Sequence, residues 1–139
     1  MRALAVAIVV AGCGGNGSSG GACTQDAQCD SGDVCAANGL CWSADSVRNA
    51  RIQWTVGGQP ASAASCSSIP NLDMYFTAPE GDSSEDFGYA PVPCAEGVFT
   101  ELKLPDIYTD VQFLDDVSQA PLGEGTIGGT ASTSVDLEP

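Results

Sequence analysis

The chain runs to 139 residues and carries 18 acidic against 4 basic side chains and no histidine, a formal charge of −14. So acidic a surface repels phosphate and lacks the Lys and Arg that hold nucleic acid or anionic headgroups, so nucleic-acid binding is excluded. The missing histidine removes the commonest general base. With 43% hydrophobic residues the chain is too apolar to be disordered throughout, and 17 glycines with 6% aromatics suit a β-rich exported domain.

Arg2 is followed by Ala3 to Ala11 without a polar residue, which fits the charged start and apolar core of about 7–15 residues of an export signal and is too short for the roughly 20 apolar residues of a membrane span. The run ends in Val10-Ala11-Gly12-Cys13. That quartet resembles the lipobox of bacterial lipoproteins. The resemblance implies a signal peptide over 1–12, cleavage before Cys13 and covalent lipid on its sulfur. Cysteine parity points the same way: the chain has seven cysteines, and an odd one in an exported chain needs its own explanation. The lipoprotein resemblance also implies sorting to the outer membrane, since Gly14 follows the lipid-bearing cysteine. Residues 13–22 then read as a lipidated, flexible Gly/Ser tether. Within it a GxGxxG match has no strand before it or helix after it, and Asn16-Gly17-Ser18 matches a glycosylation sequon without its secretory context.

Over 23–44 the cysteines Cys23, Cys29, Cys35 and Cys41 recur every six residues, with turn signals at Asp30-Ser31-Gly32 and Asn38-Gly39. So short a segment cannot bury a core, and disulfides are expected to hold it. Zinc is the competing reading, but its cysteines favour closer spacing. Fifteen pairings are open to the six cysteines left after Cys13. The segment resembles the small C-x5-C-x5-C-x5-C modules that follow the tether in Gram-negative lipoproteins. That resemblance implies Cys23 with Cys35 and Cys29 with Cys41.

From residue 45 the apolar period becomes two. Ile52, Trp54 and Val56 share one face of RIQWTV, which ends at Gly57-Gly58-Gln59-Pro60. Leu72, Met74 and Phe76 alternate with Asp73 and Tyr75; Val98, Thr100, Leu102 and Leu104 fall on one side of VFTELKL; further strands are expected near 107–115 and within 126–137. Short strands between Gly, Pro and Asp clusters predict an all-β, antiparallel β-sandwich over 45–139, preceded by the stapled module and the tether. Cys66 and Cys94 bracket its central hairpin as a third bridge, and Trp54 is expected in the core. The run W-T-V-G-G, then C-A-E-G-V-F-T and L-P-D-I-Y, resembles prealbumin-like or carboxypeptidase-regulatory-like sandwiches of envelope lipoproteins, with Ile107 where those have glycine.

Fifteen acids of this domain face only Arg48, Arg51 and Lys103. Its serines lie in Ser/Gly/Ala-rich stretches with no strand-turn-helix nucleophile elbow and no SxxK motif. The adjacent acids Glu85-Asp86 and Asp115-Asp116 read as solvated turns rather than a catalytic pair, so no enzyme and no catalytic, cofactor or metal residue is expected. Calcium is the sharper alternative at PEGDSSEDFG, where Glu80, Asp82, Glu85 and Asp86 cluster, but the spacing is not that of an EF-hand. The expected protein is an exported lipoprotein, lipid-anchored in the cell envelope, that acts as a non-catalytic binding or adhesion module toward a protein or carbohydrate partner. An accessory structural subunit of an envelope complex, or an inhibitor acting through 23–44, is the alternative.

Overall fold

The computed structural model describes residues 18–79, 86–129 and 131–139. Among the described residues, eleven strands and a few single 3-10 turns make up the regular structure, with no α-helix. The first three strands form a small sheet in which β1 (Ser18–Ala22) and β2 (Asp33–Cys35) flank β3 (Leu40–Ser43), both antiparallel to it. Thus Ser18–Ala22, the last part of the Gly/Ser segment, is a strand rather than a tether. It runs along β3 beside the Cys29–Cys41 bridge: a Cβ on Gly21 would stand 4.0 Å from the Cys41 sulfur, an ordinary van der Waals contact.

Cys35 and Cys41 face each other across β2 and β3, yet each bonds outward. Cys35 joins Cys23 and Cys41 joins Cys29, so both bridges tie the incoming chain to the hairpin. The hairpin turns at Asn38-Gly39, where Gly39 has φ +75 and Asn38 Oδ1 accepts the Leu40 N–H. This module rests on the larger domain. The Ala37 N–H donates to the Lys103 carbonyl at 3.1 Å, Lys103 Nζ pairs with Asp26 at 2.6 Å, and Asn38 Nδ2 donates to the Tyr108 hydroxyl at 3.3 Å.

Two sheets enclose the main core. In one, β4 (Val47–Val56) is central: it pairs in parallel with β11 (Ser132–Leu137) and antiparallel with β8 (Val98–Pro105) and the short β5 (Gln59–Pro60). The other has the order β10 (Pro121–Thr126), β9 (Asp110–Asp115), β6 (Asn71–Thr77), β7 (Phe87–Pro93), antiparallel throughout. The period-two residues of β4 and β6 supply both inner faces: Ile52, Trp54 and Val56 meet Leu72, Met74, Phe76, Val111 and Phe113 in one cluster. Trp54 is 3% exposed, its ring lies 5.4 Å from that of Phe113, and its Nε1 donates to the Cys94 carbonyl at 2.8 Å. Cys94, bonded to Cys66, is fully buried beside it.

The single face expected for Val98, Thr100, Leu102 and Leu104 is broken. Leu104 is fully buried but Leu102 is 59% exposed, and Phe99 and Glu101 point inward instead. The register of β8 on β4 shifts between Arg48 and Ala50, and Lys103 there takes a left-handed φ of 56°. One extra residue moves every later side chain to the other face. Lys103 is held in that conformation by Asn49 Oδ1 on its N–H, Ala37 on its carbonyl and Asp26 on its ammonium.

Candidate binding face

The outer face of the β10-β9-β6-β7 sheet carries a row of side chains set by register. Glu124 stands opposite Gln112, Gln112 opposite Tyr75, and Tyr75 opposite Gly88. Each alternates with core residues, so the row faces away from the core. Gly88 is required there: a Cβ would collide with the Met74 carbonyl and stand 2.7 Å from Tyr75 Cδ1, so the glycine lets the Tyr75 ring lie close against β7. Tyr75 and Gln112 are half-buried and Glu124 is exposed. A shallow cavity of about 300 Å³ lined by Gln112, Pro121, Leu122, Gly123, Glu124 and Glu138 opens at the β10 end of the row.

The next row holds Asp73 opposite Leu114. Asp73 is only 5% exposed although it lies on the outer face, because the turn from β9 to β10 folds over it. Gln119, with φ +58, sends its Nε2 to Asp73 Oδ2 at 2.7 Å and to the Asp116 carbonyl at 3.2 Å. Asp115 Oδ1 accepts the N–H groups of Val117 and Ser118, and the Ser118 N–H foremost holds the Asp115 carboxyl below the usual range. Asp116 turns the other way, toward Asp73. Its carboxyl is within hydrogen-bonding reach of Asp73's, and that contact, with partial burial, raises its pKa. The adjacent acids read as a solvated turn therefore do two different things.

A second buried acid, Glu101, lies inside the other sheet at 8% exposure. Burial raises its pKa against the opposing effects of the Tyr89 hydroxyl and the Leu102 N–H, the latter 2.9 Å from Oε1. Tyr89 is itself raised, by burial first and then by Glu101. Its ring belongs to the Phe76, Phe87, Phe99 cluster, so this pair serves packing.

Of the residues singled out by sequence, Cys13, Glu80, Asp82 and Glu85 lie outside the described residues. Asp86 is described: its Oδ1 accepts the Ala78 N–H at 3.3 Å. The sulfurs of Cys23, Cys29 and Cys41 lie within 4.8 Å of one another, which follows from two disulfides packed side by side; as disulfides they present no thiolate to a metal. Three disulfides place the chain in an oxidising, extracytoplasmic setting. Tyr75, Gln112 and Glu124 are not legible as a group, since only the register of three strands brings them together. No protein-family model, curated protein or solved structure matches the chain.

Chemically, the row offers a partly exposed aromatic face, an amide that both donates and accepts, and a carboxylate, beside a shallow recess. A tyrosine ring stacks against an apolar surface while amide and carboxylate groups bind hydroxyls at its rim.

Proposed function

We propose that the chain is a Gram-negative envelope lipoprotein, anchored to the outer membrane through lipid on Cys13, whose sandwich is a non-catalytic binding module for carbohydrate. The observation that carries the binding reading is the Glu124, Gln112, Tyr75 row on one outward sheet face. A saccharide ring has an apolar C–H face suited to the Tyr75 ring and equatorial hydroxyls suited to Gln112 and Glu124. An acidic surface also favours a neutral polymer over an anionic one. In support of the anchor, the three disulfides use six of the seven cysteines and leave Cys13 over. An inhibitor acting through 23–44 alone is less favoured, because that module is tied to the sandwich at Lys103 and Tyr108.

The test is made on protein extracted from its own membranes in detergent. Non-reduced intact mass is expected to give a chain starting at Cys13, heavier by a diacylglycerol and an acyl group and inert to a thiol alkylator. The same preparation is then applied to an array of soluble oligosaccharides and sedimented with peptidoglycan sacculi. Wild type is expected to bind at least one, and Tyr75→Ala to weaken that binding about tenfold or more at unchanged melting temperature. A chain starting at Met1 would remove the anchor. Binding to none of these, or binding indifferent to Tyr75→Ala and Gln112→Ala, would remove the carbohydrate reading.

A further inference from the structure

Beside that row the Asp73 and Asp116 carboxyls confront each other with no basic side chain to balance them. Asp73 projects from the middle of β6 and is 95% buried by the β9 to β10 turn. One of its oxygens, Oδ2, accepts from Gln119 Nε2, while Oδ1 is sealed from solvent and receives no hydrogen bond from an N–H or hydroxyl group, although the Asp116 carboxyl lies within reach of the Asp73 carboxyl. A buried carboxylate oxygen normally finds a donor or a cation. The basic residues of the domain are committed elsewhere. Arg48 bonds Asp106 Oδ1 and the Tyr108 carbonyl, both at 2.8 Å; Lys103 holds Asp26; Arg51 is on β4, in the other sheet. Asp116 is only half-buried, so one side of the pair stays open to water.

We propose that Asp73 and Asp116 bind a divalent calcium ion on the outer face of the sandwich, Asp73 through Oδ1 and Asp116 through its carboxylate, with water completing the shell. Hard carboxylate oxygens match a hard cation, and the choice of calcium over magnesium follows from the geometry. The two acids come from different elements, one strand and one turn, and form no octahedral cage. Calcium tolerates six to eight irregularly placed oxygens, whereas magnesium demands near-ideal octahedral geometry and gives up water reluctantly. With two carboxylates the affinity falls in the range of extracellular modules, about 10⁻⁴–10⁻³ M. The surplus of acids over bases in the domain, fifteen to three, adds a long-range attraction for the ion. Gln119 acts as a positioning residue, since its amide fixes the other Asp73 oxygen. The site is independent of the carbohydrate reading and of the 80–86 loop.

The oxidised full-length protein, stripped with a chelator, is melted at pH 7 in rising CaCl2, with MgCl2 and NaCl series matched in ionic strength. Calcium at ten times its Kd is expected to raise the melting temperature by about 5–8 °C, magnesium clearly less and NaCl not at all. Asp116→Asn is expected to fold with an unchanged or higher melting temperature in chelator, because it relieves repulsion, and to lose the calcium response. Asp73→Asn is expected to lose that response too, while Asp82→Asn keeps it. A wild type indifferent to calcium and stabilised only by acid would mean that the two carboxyls share a proton, and would overturn the site. A calcium response that survives Asp116→Asn or vanishes with Asp82→Asn would overturn it equally, by placing the ion elsewhere.

Discussion

Glu101 shows how one residue can be locally regular and energetically costly. It sits in β8, 8% exposed, with Oε1 on the Leu102 N–H and Oε2 buried without a partner. Burial raises its pKa, so the folded chain takes up a proton more readily than the unfolded one. The destabilisation is therefore fully present above the folded pKa and disappears as pH falls through it toward the ordinary glutamate value of about 4.3. Glu101→Gln keeps the oxygen that meets Leu102 and removes the charge. Its expected stability at pH 7 exceeds that of the wild type by on the order of 1 kcal/mol, and the difference closes on acidification. Urea unfolding of both proteins at pH 7 and pH 4 checks this; a variant less stable than the wild type at pH 7 would show that the Tyr89–Glu101 contact outweighs the burial penalty.

At the scale of elements, the strands that announced themselves were those whose inner face is filled by their own side chains. β4 and β6 alternate large apolar residues with polar ones, and both the period and the buried set follow. β10, Pro121–Thr126, has almost no such pattern because Gly123 and Gly125 face inward beside β11: a Cβ on Gly125 would stand 2.6 Å from Val135 Cγ2 and one on Gly123 3.0 Å from Val135 Cγ1. The apolar side chain filling that space belongs to another strand. β7 was hidden by Pro91 and Pro93, which an edge strand accommodates because one of its sides needs no ladder hydrogen bonds. The outer row was illegible for a related reason, since a polar outward position looks alike whether it binds a ligand or water. The bulge at Lys103 left no periodic sign, yet it seats the cysteine module. The Lys103 ammonium foremost, helped by the Cys35 N–H, lowers the Asp26 pKa. The contribution of this pair is present above the ordinary aspartate value of about 3.9 and is lost as pH falls through the lower folded value. Lys103→Met is expected to speed hydrogen exchange at the Ala37 amide, which donates to the Lys103 carbonyl, several-fold at pH 6, and to leave the Ile52 amide unchanged. Equal rates in both proteins would mean that the ion pair does not hold the module down.

For the whole molecule, the question is what lets so small and so acidic a chain stay folded. Self-repulsion among fifteen acids works against the compact state, and the core between the sheets is shared out over short strands with a left-over edge at β7. The third disulfide supplies what this arrangement lacks. Cys66 lies in the long connection between β5 and β6, while Cys94 begins the 3-10 turn Cys94–Glu96 between β7 and β8, so the bond joins the two sheets' connections across 28 residues. Cys94 is also where Trp54 is fixed, through the indole N–H on its carbonyl, and the Cys94 N–H donates to the Pro70 carbonyl at 3.0 Å. One residue thus couples a covalent constraint, a strand of each sheet and the largest core aromatic. Removing the bridge with Cys66→Ala and Cys94→Ala together frees a loop whose closure entropy is about 3–4 kcal/mol in the unfolded chain. The small side chains leave the indole bond to the backbone carbonyl possible, so the loss is expected in stability rather than in structure. Urea unfolding at pH 7 should show the midpoint falling while the near-ultraviolet circular dichroism of Trp54 persists below the transition. The charge term makes a second readout available, because salt screens exposed like charges that lie more than about 10 Å apart at 0.1 M, and nearer ones as the concentration rises. The doubly substituted protein should therefore recover part of the loss in 0.5 M NaCl. Recovery absent there, with the aromatic signal already lost without denaturant, would mean that the bridge specifies how the two sheets pack rather than merely limiting the unfolded chain.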